Sequence, residues 1–207
     1  MTILIVWRHG QTGWNAESRF QGDADVPLND IGRGQAAAAA AVLAAAHPDV
    51  IVSSDLQRAA ETAAALATVT DLPVRHDARL RERCFGTWQG MTGAEVAEAH
   101  PEEFAAWRRG ETPDGFGIES LDDLGKRATE AALEAVDGGA EVIVLTTHGG
   151  AARRLIGGVL GWPTDVSSHL GGLANCHWSY LHHNERWGWT LQQHNIGTDA
   201  TQHWQSR

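Results

Sequence analysis

Two histidines of this 207-residue chain lie at the ends of apolar, β-branched-rich runs, and each is followed by glycine. His9 comes after residues 3–7 with Arg8 between them, and His148 comes just after the run that starts at residue 142. Neutral imidazole is a nucleophile near pH 7, and arginine is a permanently charged fork of hydrogen-bond donors. An arginine beside a histidine therefore indicates a site for an anionic group, above all a phosphoryl group.

The apolar runs around these residues predict the elements that position them. A continuous apolar run of strand length is typical of a strand buried on both faces of an α/β sheet. Ligands of such sheets bind beyond the carboxyl ends of the strands, where Arg8, His9 and His148 would emerge. A helix predicted from residue 151 onward would direct its free N–H groups toward whatever His148 contacts, which predicts an anion site there.

A third apolar run, residues 50–54, ends in hydroxyl side chains and precedes another predicted helix. Ser54 or Asp55 is expected to cap that helix, and Arg58 lies in its first turn. A basic residue there opposes the helix dipole, but it is favourable if an anion has to be bound. The alternative is a solvated surface arginine.

Glu82 is the candidate for proton transfer. A carboxylate beside a phosphate pocket would be repelled by its substrate unless it is protonated or shuttles a proton. The alternative is a surface glutamate that pairs with the neighbouring Arg81 or Arg83.

Length, composition and charge limit the class of protein. The chain suits one α/β domain, residues 1–207, and its formal net charge of −10 argues against nucleic acid or an acidic membrane as a general partner. Two cysteines, Cys84 and Cys176, give no disulfide framework and indicate a reducing cytoplasm, and the chain shows no signal peptide or membrane-spanning run. No zinc-type spacing, Walker loop or G-x-G-x-x-G is present, so we predict no metal and no cofactor.

Periodicity and turn residues predict the remaining elements. A strand at residues 72–75 contains proline and should lie near a sheet edge. Helices are expected at 92–99, 101–109 and 121–136, and we interpret about 92–118 as a helical insertion that covers the site. Strands at 176–181 and 187–191 should form an antiparallel pair around a turn at residues 183–186, packed by Trp178, Trp187 and Trp189.

Several segments resemble the motifs of the histidine phosphatase superfamily, which includes the cofactor-dependent phosphoglycerate mutases. They are Arg8-His9-Gly10-Gln11-Thr12 with Asn15, Ser53-Ser54-Asp55-Leu56-x-Arg58, the L-x-E-x-x-x-G-x-W-x-G pattern around Glu82, and His148-Gly149-Gly150. The resemblance implies a three-layer α/β/α sandwich with a mixed, mainly parallel sheet. It favours anion binding by Arg58 over a solvated surface arginine, and proton transfer by Glu82 over pairing with Arg81 or Arg83.

The resemblance also implies roles for individual residues in phosphoryl transfer without a metal. His9 would be the nucleophile that becomes phosphorylated, Glu82 the proton donor, and His148 a further catalytic residue. The substrate-binding residues would be Arg8, Asn15, Gln21, Gly22, Arg58 and Gly149.

Two branches of the family remain to be separated. Arg108 and Arg109 resemble the arginines with which the family's mutases bind the phosphoglycerate carboxylate, although their role here stays open. Where the family's mutases carry a tyrosine and a lysine, this chain has Phe85 and Gly93. A site for a polar substrate loses specificity without those two polar side chains, so the difference favours a phosphatase.

Residues 148–150 and 170–178 are similar to those of actinobacterial glucosyl-3-phosphoglycerate phosphatases. The expected substrate is thus a small sugar-phosphate or phosphoglycerate-type ester such as glucosyl-3-phosphoglycerate. A phosphoglycerate mutase and a weakly active phosphoprotein-binding member are the alternatives, and the sequence leaves a homodimer open.

Overall fold

The computed structural model describes residues 1–198, and residues 199–207, the end of the expected domain, lie outside the described part. The strands are β1 (Thr2–Arg8), β2 (Val50–Ser53), β3 (Val74–His76), β4 (Val142–Thr147), β5 (Trp178–Asn184) and β6 (Gly188–Ile196). The α-helices of this part are α1 (Gly13–Ala16), α2 (Asp30–Leu43), α3 (Gln57–Thr70), α4 (Gly93–Ala99), α5 (Pro101–Arg108), α6 (Leu121–Asp137), α7 (Gly149–Val159) and α8 (Thr164–Ser168).

The six strands form one sheet in the order β3-β2-β4-β1-β5-β6. The pairs β3–β2, β2–β4 and β4–β1 are parallel, whereas β1–β5 and β5–β6 are antiparallel. The predicted mixed, mainly parallel sheet is confirmed, and the proline-preceded β3 lies at an edge as expected. Because β1 and β4 are parallel neighbours, their carboxyl ends meet at the same edge of the sheet.

Alternate residues of β1 face two separate layers of helices. Leu4 and Val6 pack in a core with α6 and α7, while Ile5 and Trp7 pack in a second core with α2 and α3. All four side chains are fully buried, which explains why β1 reads as a continuous apolar run. The helices contribute mostly alanines to both cores, and these small side chains let the backbones lie close to the sheet. The predicted three-layer sandwich is confirmed.

The predicted cap of α3 is wrong. The helix begins at Gln57, and neither Ser54 nor Asp55 caps it with a side-chain hydrogen bond. Instead, the Gln57 N–H donates to the Asp25 carboxylate at 2.7 Å, so a loop distant in sequence supplies the cap. The Asp55 carboxylate is used elsewhere, in a 2.5 Å ion pair with Arg81.

The final antiparallel pair is present, but its strands lie later in the chain than predicted. The Asn184 side chain accepts hydrogen bonds from the N–H groups of Arg186 and Trp187, which places the turn after residue 184. Trp187 is therefore in the turn and is 69% exposed, contrary to the expected packing role. The Arg186 guanidinium lies 4.8 Å from the centre of its ring. The short helix α8 was not predicted at all.

Residues 92–118 pack on a hydrophobic cluster that they share with Phe20 and with residues 85–91. Trp88, Val96 and Ile118 are its buried members, and Phe104 and Trp107 of α5 pack against them. That this region is a helical insertion covering the site of a single domain stays a prediction, and aromatic contacts of Trp107 with Phe20 and Trp88 hold it in place. Across residues 1–198, no helix combines the length and the apolar character needed to span a membrane.

Candidate active site

His9 and His148 meet where β1 and β4 end. Their ring centres are 5.0 Å apart, and both side chains are buried. The structure also brings Arg8, Arg58 and Glu82 to this edge of the sheet. There, burial and the neighbouring charges shift the pKa values of Arg8 and His9. The side chains that the sequence analysis selected from distant segments thus form one cluster.

The hydrogen bond of His9 defines its tautomer. Its Nδ1 lies 2.7 Å from the carbonyl oxygen of Gly10, which can only accept, so Nδ1 carries the proton. Burial and the positive charges of Arg58 and Arg8 hold the pKa of His9 well below its usual value. His9 is therefore a neutral imidazole with an unshared electron pair on Nε2.

His148 has the opposite tautomer. The Arg58 Nε–H donates to its Nδ1 at 3.1 Å, so the proton lies on Nε2, which donates to Ser54 Oγ at 2.9 Å. Burial, Arg58 and His9 lower the pKa of His148 well below its usual value. Ser54 was not predicted as a site residue, although the hydroxyls at the end of β2 were noted as a pattern.

Arg58 is fully buried and is not the solvated surface arginine considered as its alternative. Besides His148, its guanidinium donates to the carbonyl oxygens of Gly22 and Ala24, each at 2.7 Å. Burial lowers the pKa of Arg58 to about 10. Arg58 therefore orients His148 and fixes the loop at residues 22–24. The neighbouring Gln21 is buried and accepts a hydrogen bond from Thr12 Oγ1 at 2.9 Å.

Glu82 occupies the N-terminus of α7. Its carboxylate accepts hydrogen bonds from the backbone N–H groups of Gly150 at 2.8 Å and Ala151 at 2.9 Å. It also accepts from the backbone N–H of Arg83 at 2.8 Å. The prediction that the free N–H groups of this helix bind a substrate anion is therefore wrong for these two amides, because the protein's own carboxylate binds them.

The alternative role of Glu82, as a partner of neighbouring arginine side chains, is also wrong. The Arg81 side chain pairs with Asp55. The Arg83 guanidinium donates to the carbonyl oxygen of Glu119 at 2.7 Å and to Thr112 Oγ1 at 3.0 Å.

Arg8 retains a donor for a ligand. One terminal nitrogen donates to the carbonyl oxygen of Leu173 at 2.6 Å, whereas its buried Nε has no partner among residues 1–198. Gly149 lies against this guanidinium, since a Cβ on Gly149 would be 3.6 Å from Arg8 Cζ. An unpaired buried donor costs free energy unless an acceptor binds there.

Asn15 is held by partners that orient its amide. Its Oδ1 accepts from the Thr12 N–H at 3.1 Å and from Asn175 Nδ2 at 3.2 Å, which leaves its own Nδ2 as the donor. Asn175 also donates to the carbonyl oxygen of His9 at 3.1 Å. The sequence analysis missed Asn175 as a supporting residue because a single asparagine in a loop carries no spacing signal.

Arg127 of α6 fastens the segment that carries Glu82. Its guanidinium donates to the carbonyl oxygens of Arg79, Arg81 and Glu82 at 2.7 to 2.9 Å. It also forms an ion pair of 2.6 Å with Glu119. This role was not predicted, because it depends on contacts across more than forty residues of sequence.

A cavity of about 460 Å³ opens beside Glu82 and Gly150. The insertion contributes Trp107, Arg108, Arg109 and Gly110 to its wall. The other basic side chains that line it are Arg83, Arg153 and Arg154.

Comparison with known proteins identifies the class that this fold and site define. The profile of the histidine phosphatase superfamily (branch 1) matches residues 4–197, and the chain belongs to that superfamily. It is 45% identical over 186 residues to a glucosyl-3-phosphoglycerate phosphatase of Mycolicibacterium vanbaalenii, spanning 86% of this chain and 83% of that protein. A 2,3-bisphosphoglycerate-dependent phosphoglycerate mutase of Gloeobacter violaceus is 36% identical over 164 residues, 75% of this chain and 74% of the mutase.

A solved structure agrees with the sequence relatives. A mycobacterial glucosyl-3-phosphoglycerate phosphatase in complex with VO3 superposes with a TM-score of 0.88 at 39% identity, covering 95% of this chain and 100% of that one. The chain is accordingly a phosphatase of this superfamily, as the sequence analysis predicted.

Proposed function

We propose that this phosphatase hydrolyses a phosphate monoester through a phosphohistidine on His9, without a metal ion. The observation that carries the proposal is the neutral, buried His9, whose unshared Nε2 pair lies in one cluster with His148, Arg8 and Arg58. A nucleophile with cationic donors around it is what in-line phosphoryl transfer requires. Within residues 1–198, no three acidic, cysteine or histidine side chains are grouped as metal ligands.

In the first step, His9 Nε2 attacks phosphorus while the bond from phosphorus to the ester oxygen breaks. Arg8, Arg58, Asn15, His148 and the backbone N–H of Gly149 stabilise the charge on the equatorial oxygens. Gln21 and Gly22 border the pocket. Glu82 gives a proton to the departing alkoxide, so the alcohol leaves neutral and His9 carries the phosphoryl group.

In the second step, Glu82 takes a proton from water, which attacks the phosphohistidine. Inorganic phosphate leaves, and His9 and protonated Glu82 are restored. The two oxygens of Glu82 differ in a way that suits this role. Oε1 accepts two backbone hydrogen bonds, whereas Oε2 accepts one and keeps capacity for the transferred proton.

As substrate we propose glucosyl-3-phosphoglycerate, a phosphoglycerate ester that also carries a sugar. The activity of the more similar relatives supports this choice, and so does the arginine-lined cavity beside Glu82. Replacement of the mutases' tyrosine and lysine by Phe85 and Gly93 makes a mutase the weaker candidate. We place the reaction in the cytoplasm, because Cys84 and Cys176 are both free thiols.

The test is a panel of phosphate monoesters assayed in the presence of a chelator with the wild type and His9→Ala. We expect activity to survive chelation and the variant to lose roughly a thousandfold or more in turnover, because the covalent route is removed. Acid quenching during turnover should trap a phosphohistidine in the wild type only.

His47→Asn is a matched control, because His47 is exposed at the far end of the sheet and asparagine tolerates its left-handed backbone (φ 50°). Near-normal turnover by His9→Ala would overturn the mechanism. Conversion of 3-phosphoglycerate into its 2-isomer, dependent on a bisphosphate primer, would instead identify a mutase.

A further inference from the structure

The cavity beside Glu82 concentrates positive charge in a chain whose formal net charge is −10. Its lining includes Arg83, Arg108, Arg109, Arg153 and Arg154. Neighbouring guanidinium groups repel one another, so a cluster of arginines is stable only when each guanidinium is paired with the protein or with a ligand. The partners of each arginine therefore separate structural residues from binding residues.

Three of these arginines are occupied by the protein. Arg83 donates to the carbonyl oxygen of Glu119 and to Thr112. The other two are Arg154, bound to the Thr164 carbonyl oxygen and Ser168 Oγ, and Arg109, bound to Glu111.

Arg153 is different. It forms no hydrogen bond or ion pair with any of residues 1–198, and its Nε is buried without a partner. Arg108 also forms none with the described residues, but it is exposed, so water solvates it. Arg153 therefore has a buried hydrogen-bond donor without an acceptor, as Arg8 does at the phosphate site.

The position of Arg153 on α7 relates it to the reacting centre. Gly149, which lies against Arg8, is four residues before Arg153, and Gly150, which binds Glu82, is three before it. Residues at these spacings lie on one face of a helix, about one turn or 5.4 Å apart along its axis. Arg153 is thus attached one helical turn beyond the phosphate site, and its Nη2 lies beside Gly172, since a Cβ there would be 3.4 Å from it. Gly172 precedes Leu173, whose carbonyl oxygen binds Arg8.

We propose that Arg153 is a specificity-determining residue that binds a carboxylate of the substrate. The inference rests on the proposed function and deepens it. A glycerate with phosphate on its third carbon carries a carboxylate at the other end of three carbons, a separation that suits one turn of helix. A guanidinium fork binds a planar carboxylate with two parallel hydrogen bonds, and in a partly enclosed cavity this charge-assisted pair discriminates against a neutral group.

The test compares two esters that differ only in this group, 3-phosphoglycerate and glycerol 3-phosphate, with the wild type and Arg153→Gln. We expect the variant to raise KM for 3-phosphoglycerate about tenfold or more, while kcat/KM for glycerol 3-phosphate stays within about twofold. Arg153→Lys should restore part of the lost affinity, since lysine keeps the charge without the fork.

Arg186→Gln is the matched control, because it removes the same charge from the exposed turn between β5 and β6. It should change neither ester, and thermal unfolding should show that each variant is folded. An equal loss on both esters, or no loss on either, overturns the role of Arg153. A wild type that hydrolyses other esters but not glucosyl-3-phosphoglycerate overturns the proposed substrate as well, and the two failures are therefore distinguishable.

Discussion

At the scale of single residues, the two histidines of the site are neutral but carry their protons on different nitrogens. The Gly10 carbonyl oxygen requires a proton on Nδ1 of His9, whereas the Arg58 Nε–H excludes one from Nδ1 of His148. His9 thus presents an electron pair and His148 a donor, although burial and the same arginines act on both. The division of roles between two identical side chains comes from their hydrogen-bond partners.

Arg58 fixes the tautomer of His148 and lowers the pKa of both histidines, and Arg58→Lys tests its role. Lysine cannot donate at once to His148, Gly22 and Ala24, so buried acceptors lose their partners. We expect kcat/KM to fall about a hundredfold or more. The free energy of unfolding should fall by about 2–3 kcal/mol, measured by urea denaturation.

Arg33→Lys is the corresponding control, because the Arg33 side chain is 54% exposed and pairs on the surface with Asp30. Surface pairs of this kind contribute little to stability. Wild-type kinetics in Arg58→Lys would show that neither the orientation of His148 nor the fork geometry of the guanidinium matters.

The sequence predicted which side chains gather at the site but not how they are held. Arg8, His9, Arg58 and His148 follow apolar runs, and that local pattern suffices to bring them to one edge of the sheet. Their supports do not follow from local patterns, because they join remote positions. Asn175 contacts His9 across 166 residues, and no spacing rule selects one asparagine for that contact.

At the scale of secondary structure, the Gly150 and Ala151 N–H groups in the first turn of α7 bind the carboxylate of Glu82 and not a substrate phosphate. Sequence periodicity predicted the helix and its free N–H groups correctly. It could not decide which anion would bind them, because Glu82 arrives from a loop fastened by Arg127. The helix therefore positions Glu82, and in the proposed mechanism the phosphate is bound by the arginine side chains, Asn15, His148 and the Gly149 N–H.

Gly150→Ala tests this use of the helix. A Cβ at residue 150 would lie 2.6 Å from Glu82 Oε1, closer than packed atoms approach, so the carboxylate must move. We expect kcat to fall between about tenfold and a hundredfold with little change in KM, because proton transfer is affected more than binding. The acid and base limbs of the pH–rate profile should also shift.

Gly34→Ala makes the same chemical change within α2, where no atom lies within 4 Å of the new methyl group. It should leave kcat unchanged and raise stability by up to about 1 kcal/mol through helix propensity. A normal kcat in Gly150→Ala would remove Glu82 from the proposed mechanism.

At the scale of the whole molecule, the sandwich was predictable, whereas the details of its edges were not. Continuous apolar runs identify the central strands β1, β2 and β4, since only strands buried on both faces have that composition. The turn between β5 and β6, at residues 185–187, lies close to the predicted 183–186, but both strands extend beyond their predicted ends, β5 to Asn184 and β6 to Ile196. Residues 182–184 and 192–196 are mostly polar and lie near the sheet edge, so hydrophobic alternation does not reveal these strand ends.

The burial of two neutral histidines also makes the stability of the whole molecule depend on pH. Folding lowers the pKa of His9 and His148 below the unfolded value near 6.5, so the unfolded chain binds more protons on acidification. Stability should therefore be complete above that pH and be lost as the pH falls below it. The expected slope is at most about 1.4 kcal/mol per pH unit for each histidine.

Urea unfolding followed by tryptophan fluorescence between pH 7 and pH 5 measures this slope directly. His9→Asn should reduce the histidine contribution by about half, because one of the two proton-binding groups is removed. Asp55 and Asp77 contribute at lower pH, since their arginine partners hold the pKa of each carboxyl below its usual value and this stabilisation is lost on stronger acidification. A free energy of unfolding that stays constant from pH 7 to pH 5 in the wild type would contradict the neutral, buried histidines on which the phosphohistidine mechanism depends.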